Sequence, residues 1–246
     1  MIRTPLAVLR TGFGLFAVGL ATLVIGSYLI VLVRIRPRTP QVPRAMRLWA
    51  QIFLFATGTR TDVEGADRID PSGSYVFTGN HTSNLDIPVI MGRLPVSVRF
   101  LAKKELFKVP ILGGAMRAIH MVETDRKASP AARRAINEQV AAVLDEGLSL
   151  MIFPEGTRSK DAEMMPFKKG AFRIAVDNRM PVVPVTIVGA HAAWKPDAKL
   201  VFGGRIRLVI HDPIPTADLG ATDLDDLRDR AHRIVAGKYE ELRSSQ

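Results

Sequence analysis

A run of 23 uncharged residues, Thr11 to Val33, is the feature that most constrains the fold of this chain. As an α-helix the run would be about 35 Å long, enough to cross a hydrocarbon core of ~30 Å. A cleaved signal peptide has a shorter apolar region and a small-residue cleavage site, whereas this run is followed by the basic segment RIRPR at residues 34–38. We therefore predict a membrane anchor. Both a spanning helix and a bent helix that enters one leaflet stay open, because the run contains four glycines (Gly12, Gly14, Gly19, Gly26).

The charge distribution supports a membrane location. The chain of 246 residues has a net charge of +10, and residues 1–60 hold eight arginines and no Asp or Glu. Because these arginines flank an apolar run, an anionic membrane surface is a better partner than nucleic acid, which we do not expect to bind. Five of the arginines lie just after the run and two just before it. The positive-inside rule then predicts the inner (cytoplasmic) membrane, with the rest of the chain in the cytoplasm.

A second apolar patch, residues 48–55, follows the basic flank and is too short to span a bilayer. It could lie flat at the membrane surface, with Trp49 and Phe53 at the interface, or pack on the domain that follows. We predict two regions: residues 1–60 as a membrane anchor with a basic flank and a second interfacial helix, and residues 61–246 as the functional domain.

Beyond residue 60, short apolar strands alternate with helices. We predict a helix that begins at Ser129-Pro130 and ends before Gly147, and a last helix that begins near Thr222. The predicted strands are 75–78, 98–102, 149–153, 182–188 and 206–211. This alternation predicts a single layered α/β domain with a largely parallel central sheet flanked by helices, preceded by the membrane helix. The chain has no cysteine, which excludes disulfides and thiolate chemistry.

The segment NHTSNLD at residues 80–86 contains the first candidate for chemistry. Residues five apart on one regular helix lie about 140° from each other. His81 must therefore lie in the turn after the strand, and Asp86 in the following helix, if the two side chains are to meet. Asp86 would then hold one ring nitrogen and leave the other basic. No third ligand is close in the sequence, so we expect no metal.

Ser83 supports an alternative, a membrane-anchored serine esterase. Against it, the sequence lacks the G-x-S-x-G elbow that exposes such a nucleophile. We instead expect Ser83 to cap the helix that carries Asp86. A membrane-surface binding module is a further alternative, and it would not need His81.

A second motif, FPEGTRS at residues 153–159, follows another apolar strand. Gly156 permits close approach of the backbone to a ligand, and Thr157 offers a hydroxyl. Arg158 can grip a phosphate through two parallel hydrogen bonds. Three further basic residues could converge on the same anion (Lys104, Arg126, Lys168).

Together these segments resemble the glycerolipid acyltransferases that carry the HxxxxD motif, above all the 1-acyl-sn-glycerol-3-phosphate acyltransferases. The resemblance covers roughly residues 75–190, with four blocks in the order typical of that family. Besides the two motifs, the blocks include KEL at 104–106 with Pro110, Gly113 and Arg126, FKKGAF at 167–172, and VPV at 183–185. One departure is His120, seven residues after Gly113, where the family often has glycine.

The resemblance implies acyl transfer from acyl-CoA or acyl-acyl-carrier-protein to the sn-2 hydroxyl of lysophosphatidic acid, a membrane lipid, giving phosphatidic acid. It implies no bound cofactor, and backbone amides or Lys104 as the oxyanion donors. Glycerol-3-phosphate or a lyso-ornithine lipid stays open as the acceptor. The implied catalytic pair is His81 and Asp86, and the implied substrate-binding residues are Lys104, Arg126, Glu155, Gly156, Thr157, Arg158 and Lys168.

Overall fold

The computed structural model describes residues 3–124 and 130–245. In this part of the chain seven strands form one sheet, in the order β1-β7-β6-β2-β5-β3-β4. The strands are β1 (Thr59–Glu64), β2 (Val76–Gly79), β3 (Val98–Lys103), β4 (Val122–Thr124), β5 (Ser149–Ile152), β6 (Val182–Val188) and β7 (Gly204–Ile210).

Eight α-helices surround the sheet in the described part of the chain. They are α1 (Arg3–Ile35), α2 (Gln41–Ala56), α3 (Asp86–Arg93), α4 (Leu112–Ala118), α5 (Pro130–Asp145), α6 (Gly170–Asp177), α7 (Ala190–Ala193) and α8 (Leu224–Ser244).

The predicted α/β fold with a largely parallel sheet is confirmed. Strands β6, β2, β5, β3 and β4 run parallel to one another, whereas β7 is antiparallel to β6 and pairs in parallel with β1 at the edge of the sheet. The five predicted strands correspond to β2, β3, β5, β6 and β7. The sequence did not predict β1, whose residues TRTDVE are mostly polar and only partly buried, or β4, which has three residues. Because β1 begins at Thr59, the predicted boundary after residue 60 lies inside a strand.

Side chains that alternate along the strands build two cores, one on each side of the sheet. Phe77 and Met151 belong to the cluster that also contains residues of α1, α2 and α3. Val76 and Leu150, their neighbours in the chain, belong to the cluster that also contains residues of α5, α6 and α8. A strand period of two produces this division, and burial of both faces accounts for the nearly continuous apolar strands.

The helix boundaries follow local backbone chemistry. Helix α5 ends at Asp145, before Gly147, as predicted; the predicted cap Ser129 lies outside the described residues. Helix α8 begins two residues later than predicted, because residues 221–223 form a 3-10 turn. There the Asp223 carboxylate accepts a hydrogen bond from Gly220 N at 2.8 Å.

Helix α1 is packed along the domain rather than separated from it. Trp49 Nε1 on α2 donates to Thr22 Oγ1 at 2.9 Å, and Ile111 of the loop before α4 lies directly over Gly26. The stripe that α1 buries includes Ala7, Thr11, Ala21, Ile25 and Leu29. Its other side is exposed and apolar (Leu6, Val8, Leu9, Phe13, Leu15, Phe16, Leu20, Leu23, Val24, Tyr28, Val31, Ile35).

Helix α2 contains the second apolar patch and packs on the domain. It buries Met46 and Leu54 in the core shared with the sheet, and it exposes Leu48 and Phe55. Of the two alternatives for this patch, packing on the domain is therefore the one observed. By length and composition, α1 is the one helix in the described chain that could cross a membrane.

His120, at the position where the family that the sequence resembles often has glycine, has a left-handed backbone conformation. Its φ is 59°, in the left-handed region that glycine adopts without strain and that His enters more readily than β-branched residues. Its Nδ1 lies 2.9 Å from Glu146 Oε1. The left-handed turn that a glycine would permit is therefore retained.

Candidate active site

The candidate residues meet at the carboxyl ends of three adjacent parallel strands. The loop with His81 follows β2, the FPEGTRS segment follows β5, and Lys104 begins a 3-10 turn directly after β3. Ligand sites in open α/β sheets lie outside these strand ends, which agrees with the placement of both motifs.

Asn80 fixes the start of the catalytic loop to the sheet. Its Nδ2 donates to Ile187 O and its Oδ1 accepts from Ile187 N, both at 2.8 Å. The side chain is fully buried, so both bonds are shielded from water. Sequence analysis did not single out Asn80, although a polar residue that directly follows a buried strand and precedes His81 was a usable signal.

His81 and Asp86 form the expected pair. His81 lies in the loop and Asp86 is the first residue of α3, as predicted. His81 Nδ1 lies 2.7 Å from Asp86 Oδ2. Since a carboxylate only accepts, the bond places the proton on Nδ1 and leaves Nε2 as the basic nitrogen. Nε2 makes no hydrogen bond with any residue that the structure describes, and the His81 side chain is 15% exposed.

Asp86 is itself fixed by hydrogen bonds from the loop. Its Oδ2 also accepts from Thr82 N and Ser83 N, each at 2.8 Å, and the residue is completely buried. The carboxylate lies in the first turn of α3, where the helix dipole favours a negative charge. These three donors all bond to Oδ2, and together with the dipole they fix the orientation of the carboxylate.

The second motif contacts His81 directly. The Phe153 and His81 rings stack with centroids 4.0 Å apart and an interplanar angle of 11°. Ser159 N donates to His81 O at 2.9 Å. Glu155 Oε1 accepts from His81 N at 2.8 Å. The two segments singled out from the sequence therefore form one structure in which the second motif supports the histidine.

Glu155 points inward, away from solvent. It is 2% exposed, and its second oxygen accepts from Met165 N at 3.4 Å. Burial raises the pKa of the Glu155 carboxyl to about 7, although the two amide bonds lower it in part. The expectation that Glu155 binds substrate stays a prediction, and in this structure both of its oxygens are occupied by main-chain amides.

The rest of the turn faces outward. Gly156 has φ 76°, and a Cβ there would lie 2.6 Å from Lys168 Nζ, so the position needs glycine and the Lys168 ammonium lies over the turn. Thr157 is exposed and Arg158 is half-buried. Arg158 makes no hydrogen bond or ion pair with another residue of the described chain. These groups are available to an anionic ligand.

Ser83 is not arranged as a nucleophile. It is fully buried, and its Oγ donates to Trp194 O at 2.7 Å and accepts from Leu85 N at 3.1 Å. The prediction that it caps α3 is wrong, because Leu85 occupies the N-cap position and Ser83 instead tightens the turn before the helix. With its hydroxyl proton directed to a carbonyl and not to His81, the geometry does not support the serine esterase alternative.

The last two predicted site residues are Lys104 and Arg126. Lys104 is half-buried at the carboxyl end of β3, at the same edge of the sheet as His81. Arg126 lies outside the described residues. Within the described ranges, no group of three His, Asp or Glu side chains is arranged to hold a metal ion.

Comparison with known proteins gives a consistent result. Residues 60–188 match the acyltransferase family. The chain is 35% identical to a 1-acyl-sn-glycerol-3-phosphate acyltransferase of Cocos nucifera over 168 residues, which cover 68% of this chain and 54% of that protein. It is 30% identical to the alpha form of the Bos taurus enzyme of the same name over 208 residues, which cover 85% of this chain and 72% of that protein.

A solved structure matches nearly the whole fold. The crystal structure of the 1-acyl-sn-glycerophosphate (LPA) acyltransferase PlsC from Thermotoga maritima superposes with a TM-score of 0.82 at 26% identity. The superposition covers 98% of this chain and 97% of that one, so it includes the N-terminal helices as well as the sheet.

Proposed function

This chain belongs to the acyltransferase family, and on that premise we propose that it transfers a fatty acyl group to the sn-2 hydroxyl of lysophosphatidic acid, giving phosphatidic acid. The observation that carries the proposal is the 2.7 Å bond between His81 Nδ1 and Asp86 Oδ2, which leaves Nε2 open at the carboxyl ends of the strands. The names of the coconut, bovine and Thermotoga relatives, which specify this acceptor, support the choice of substrate.

In the proposed reaction His81 acts as general base. Nε2 takes the proton of the acceptor hydroxyl as its oxygen attacks the thioester carbonyl, and the imidazolium is stabilised by Asp86. The tetrahedral intermediate then collapses, the carbon–sulfur bond breaks, and the imidazolium returns the proton to the leaving thiolate. The products are the ester and the free thiol, so no covalent enzyme intermediate is required.

Several main-chain amides in the site already donate within the protein, which reduces the number of candidate donors to the oxyanion. The amides of residues 81–83 are occupied by Glu155 and Asp86, and Gly156 N donates to Phe153 O. We propose that the Lys104 side chain or the amides that follow Gly156 serve instead. The amides after Gly156 follow β5, which neighbours β2, whereas Lys104 follows β3, the next strand beyond β5. The sequence left backbone amides and Lys104 open as donors.

The acceptor phosphate is assigned to the outward half of the FPEGTRS turn. Arg158 supplies a planar guanidinium, Lys168 adds an ammonium over Gly156, and Thr157 adds a hydroxyl. These groups favour a phosphorylated acceptor over a lyso-ornithine lipid. Glycerol-3-phosphate would bind the same groups, and the acceptor panel described below distinguishes it from lysophosphatidic acid.

The acyl donor is proposed to be a thioester of coenzyme A or of acyl carrier protein, used as a co-substrate. The chemistry described above needs no bound cofactor and no metal. Both donors present the same thioester to His81, so the site as described does not favour one over the other.

We propose that α1 enters one leaflet of the inner membrane rather than crossing it. Arg10 bonds to Phe202 O and Thr11 Oγ1 accepts from Val201 N at 2.9 Å. If α1 spanned the bilayer, its amino-terminal end would lie on the opposite side of the membrane from the domain, and these contacts with residues 201–202 could not form. The exposed apolar side of α1 would lie in the leaflet, with the arginine-rich flank at anionic headgroups and the domain in the cytoplasm.

An acceptor panel assayed with one acyl-CoA tests the proposal. We expect ester formation with lysophosphatidic acid, little with glycerol-3-phosphate or lyso-ornithine lipid, and little release of free fatty acid. His81→Ala should abolish transfer. Fatty acid release at the rate of thiol release, with no ester formed, would identify a hydrolase and contradict acyl transfer.

A further inference from the structure

We infer that Glu155 is a positioning residue for His81, which holds the backbone of the catalytic loop so that Nε2 faces the acceptor, and that it does not bind substrate. Glu155 would act through His81, so this role depends on the acyl transfer proposed above. The basis is the set of contacts that the Glu155 carboxylate makes inside the protein.

The first contact fixes the catalytic histidine by its main chain. Glu155 Oε1 accepts from His81 N at 2.8 Å, while His81 O accepts from Ser159 N at 2.9 Å. Both main-chain groups of the histidine are thus bonded to the FPEGTRS segment. Together with the Asp86 bond to the ring and the stacked Phe153, these bonds hold the histidine at its main chain, at Nδ1 and on one face of the ring.

The second contact ties in a further loop. Glu155 Oε2 accepts from Met165 N at 3.4 Å, in the segment that leads to α6. That segment is held from its other side by α8, where Tyr239 Oη donates to Ala162 O at 2.7 Å. Ala162 has φ 66°, an unfavourable conformation that these bonds hold in place. One carboxylate therefore joins the histidine loop to a loop anchored on the last helix.

Burial separates Glu155 from the groups that can meet a ligand. It is 2% exposed, whereas Thr157 is exposed and Arg158 is half-buried. A carboxylate beside a phosphate site would also repel the ligand. Burying this group is unfavourable, which is seen in its pKa of about 7, and the two amide bonds offset only part of the cost. A buried carboxylate whose two oxygens both accept from main-chain amides is consistent with a role in holding the loop.

The test compares Glu155→Leu and Glu155→Gln with a matched control, Glu163→Gln. Glu163 lies in the same loop, but its carboxylate is exposed and pairs with Arg243 at 2.8 Å. Glutamine keeps one acceptor oxygen for His81 N, whereas leucine keeps none. The full-length protein is assayed in mixed micelles with varied lysophosphatidic acid at saturating acyl-CoA.

A positioning role predicts graded losses in kcat. We expect kcat to fall about tenfold in Glu155→Gln and about 100-fold in Glu155→Leu, because displacing a catalytic group by about 1 Å costs a factor of this size. KM for lysophosphatidic acid should stay within about twofold of the parent, and Glu163→Gln should match the parent in both. A raised KM with unchanged kcat would assign Glu155 to substrate binding and overturn the inference. If Glu155→Leu does not fold, the near-isosteric Glu155→Gln still decides between these outcomes.

A readout without substrate separates this inference from the proposed function. The Nδ1 proton of His81, bonded to Asp86, should give a low-field proton resonance in the full-length protein. We expect this resonance to shift or broaden in both Glu155 variants and to stay unchanged in Glu163→Gln. If the parent fails to acylate lysophosphatidic acid while the resonance still responds, the function is wrong and the positioning role stands. An unchanged resonance in both Glu155 variants would refute positioning, whatever the activity.

Discussion

The two halves of this site are built on different principles. On the inner half His81, Asp86 and Glu155 are largely or fully buried and bonded to main-chain amides or to each other. On the outer half Arg158 and Thr157 are at least partly exposed, and Arg158 makes no bond within the described chain. In the proposed function, the half that would move protons is fixed before substrate arrives, whereas the half that would bind the phosphate is completed by the ligand. Catalysis requires preorganised geometry, and an anion site can take its final geometry from the anion.

The largest loss of activity is expected when His81, the proposed base of the inner half, is replaced. We expect His81→Ala to lower kcat by about 10²–10⁴-fold, because the variant lacks the imidazole that is proposed to take the proton of the acceptor hydroxyl. Asp86→Asn should be similarly severe, since an amide can donate to Nδ1 and so favour the wrong tautomer. Turnover of purified protein with an unchanged circular dichroism spectrum is the measurement. An active, folded His81→Ala variant would mean that the inner half is not the catalytic half.

The inner half should also show a pH-dependent cost that the outer half lacks. Folded Glu155 keeps its proton until about pH 7, whereas the unfolded carboxyl releases it near 4.5. Between these values the folded state binds more protons, so this residue lowers the free energy of unfolding as pH rises. The shift corresponds to about 3 kcal/mol, lost between pH 4.5 and 7. Glu155→Gln does not titrate and should not show this loss.

Urea unfolding of the parent and of Glu155→Gln at several pH values measures that term. The free energy of unfolding of the variant should increase relative to that of the parent by up to about 3 kcal/mol between pH 4.5 and pH 8, because only the parent loses stability over this range. The hydrogen bond lost in the variant contributes a constant offset and does not affect the trend. The same difference at pH 5 and pH 8 would show that Glu155 ionises normally in the folded protein.

The outer half should fail in binding and keep its chemistry. Arg158→Ala should raise KM for lysophosphatidic acid by about 10–100-fold, since each charge-assisted hydrogen bond contributes about 1.5–3 kcal/mol. Apparent KM values for acceptor and acyl-CoA are compared with those of Lys160→Ala. Lys160 is an exposed neighbour that pairs with Asp197 at 2.8 Å, so its loss removes the same charge without a proposed ligand contact. A rise confined to the acyl-CoA KM would assign Arg158 to the donor.

The sequence predicted the His81–Asp86 pair better than it predicted the residues that support the pair. The spacing of His81 and Asp86 required a loop followed by a helix, and the structure has that arrangement. The partners of the pair come from distant parts of the chain: Glu155 reaches His81 N across 74 positions, and Asn80 bonds to Ile187 across 107. Such contacts depend on which strands are neighbours, and strand order is not encoded locally.

The fold shows the same division between local and non-local information. The parallel strands were predictable because burial on both faces makes them continuously apolar. Strand β1 was not, because an edge strand with one half-solvated side keeps polar residues such as Arg60 and Asp62. The role of α1 was also undecided, because an apolar helix that packs along a domain has the same composition as one that spans a bilayer. Its polar contacts at Arg10 and Thr11 distinguish the two only in three dimensions.

In the proposed function, the outer half meets its lipid substrate at a membrane, and the exposed apolar side of the N-terminal helices should bind that membrane. Deleting residues 1–60 is a poor test, since Ile25, Leu29 and Leu54 belong to the core. Phe16→Ser and Phe55→Ser change side chains that are 70% and 79% exposed. Each should weaken binding to anionic vesicles by about tenfold, because burying such a side chain is worth about 1.5–3 kcal/mol. Unchanged co-sedimentation of the folded double variant would exclude this surface as the membrane contact.

The smallest effect on activity is expected at Ser83. This residue lies between His81 and Asp86 in the sequence, and the proposed mechanism does not use its hydroxyl. Ser83→Ala removes a hydroxyl that donates to Trp194 O at 2.7 Å and accepts from Leu85 N at 3.1 Å. The variant should lose about 1–3 kcal/mol of stability, because a buried carbonyl and an amide are left without partners. Turnover should stay within a few-fold of the parent, since Ser83 N still donates to Asp86 Oδ2 and the His81 ring stays in place. Urea unfolding and turnover measured on the same preparation separate the two effects. A stable Ser83→Ala protein without activity, beside an active His81→Ala protein, would transfer the chemistry from the imidazole to the hydroxyl.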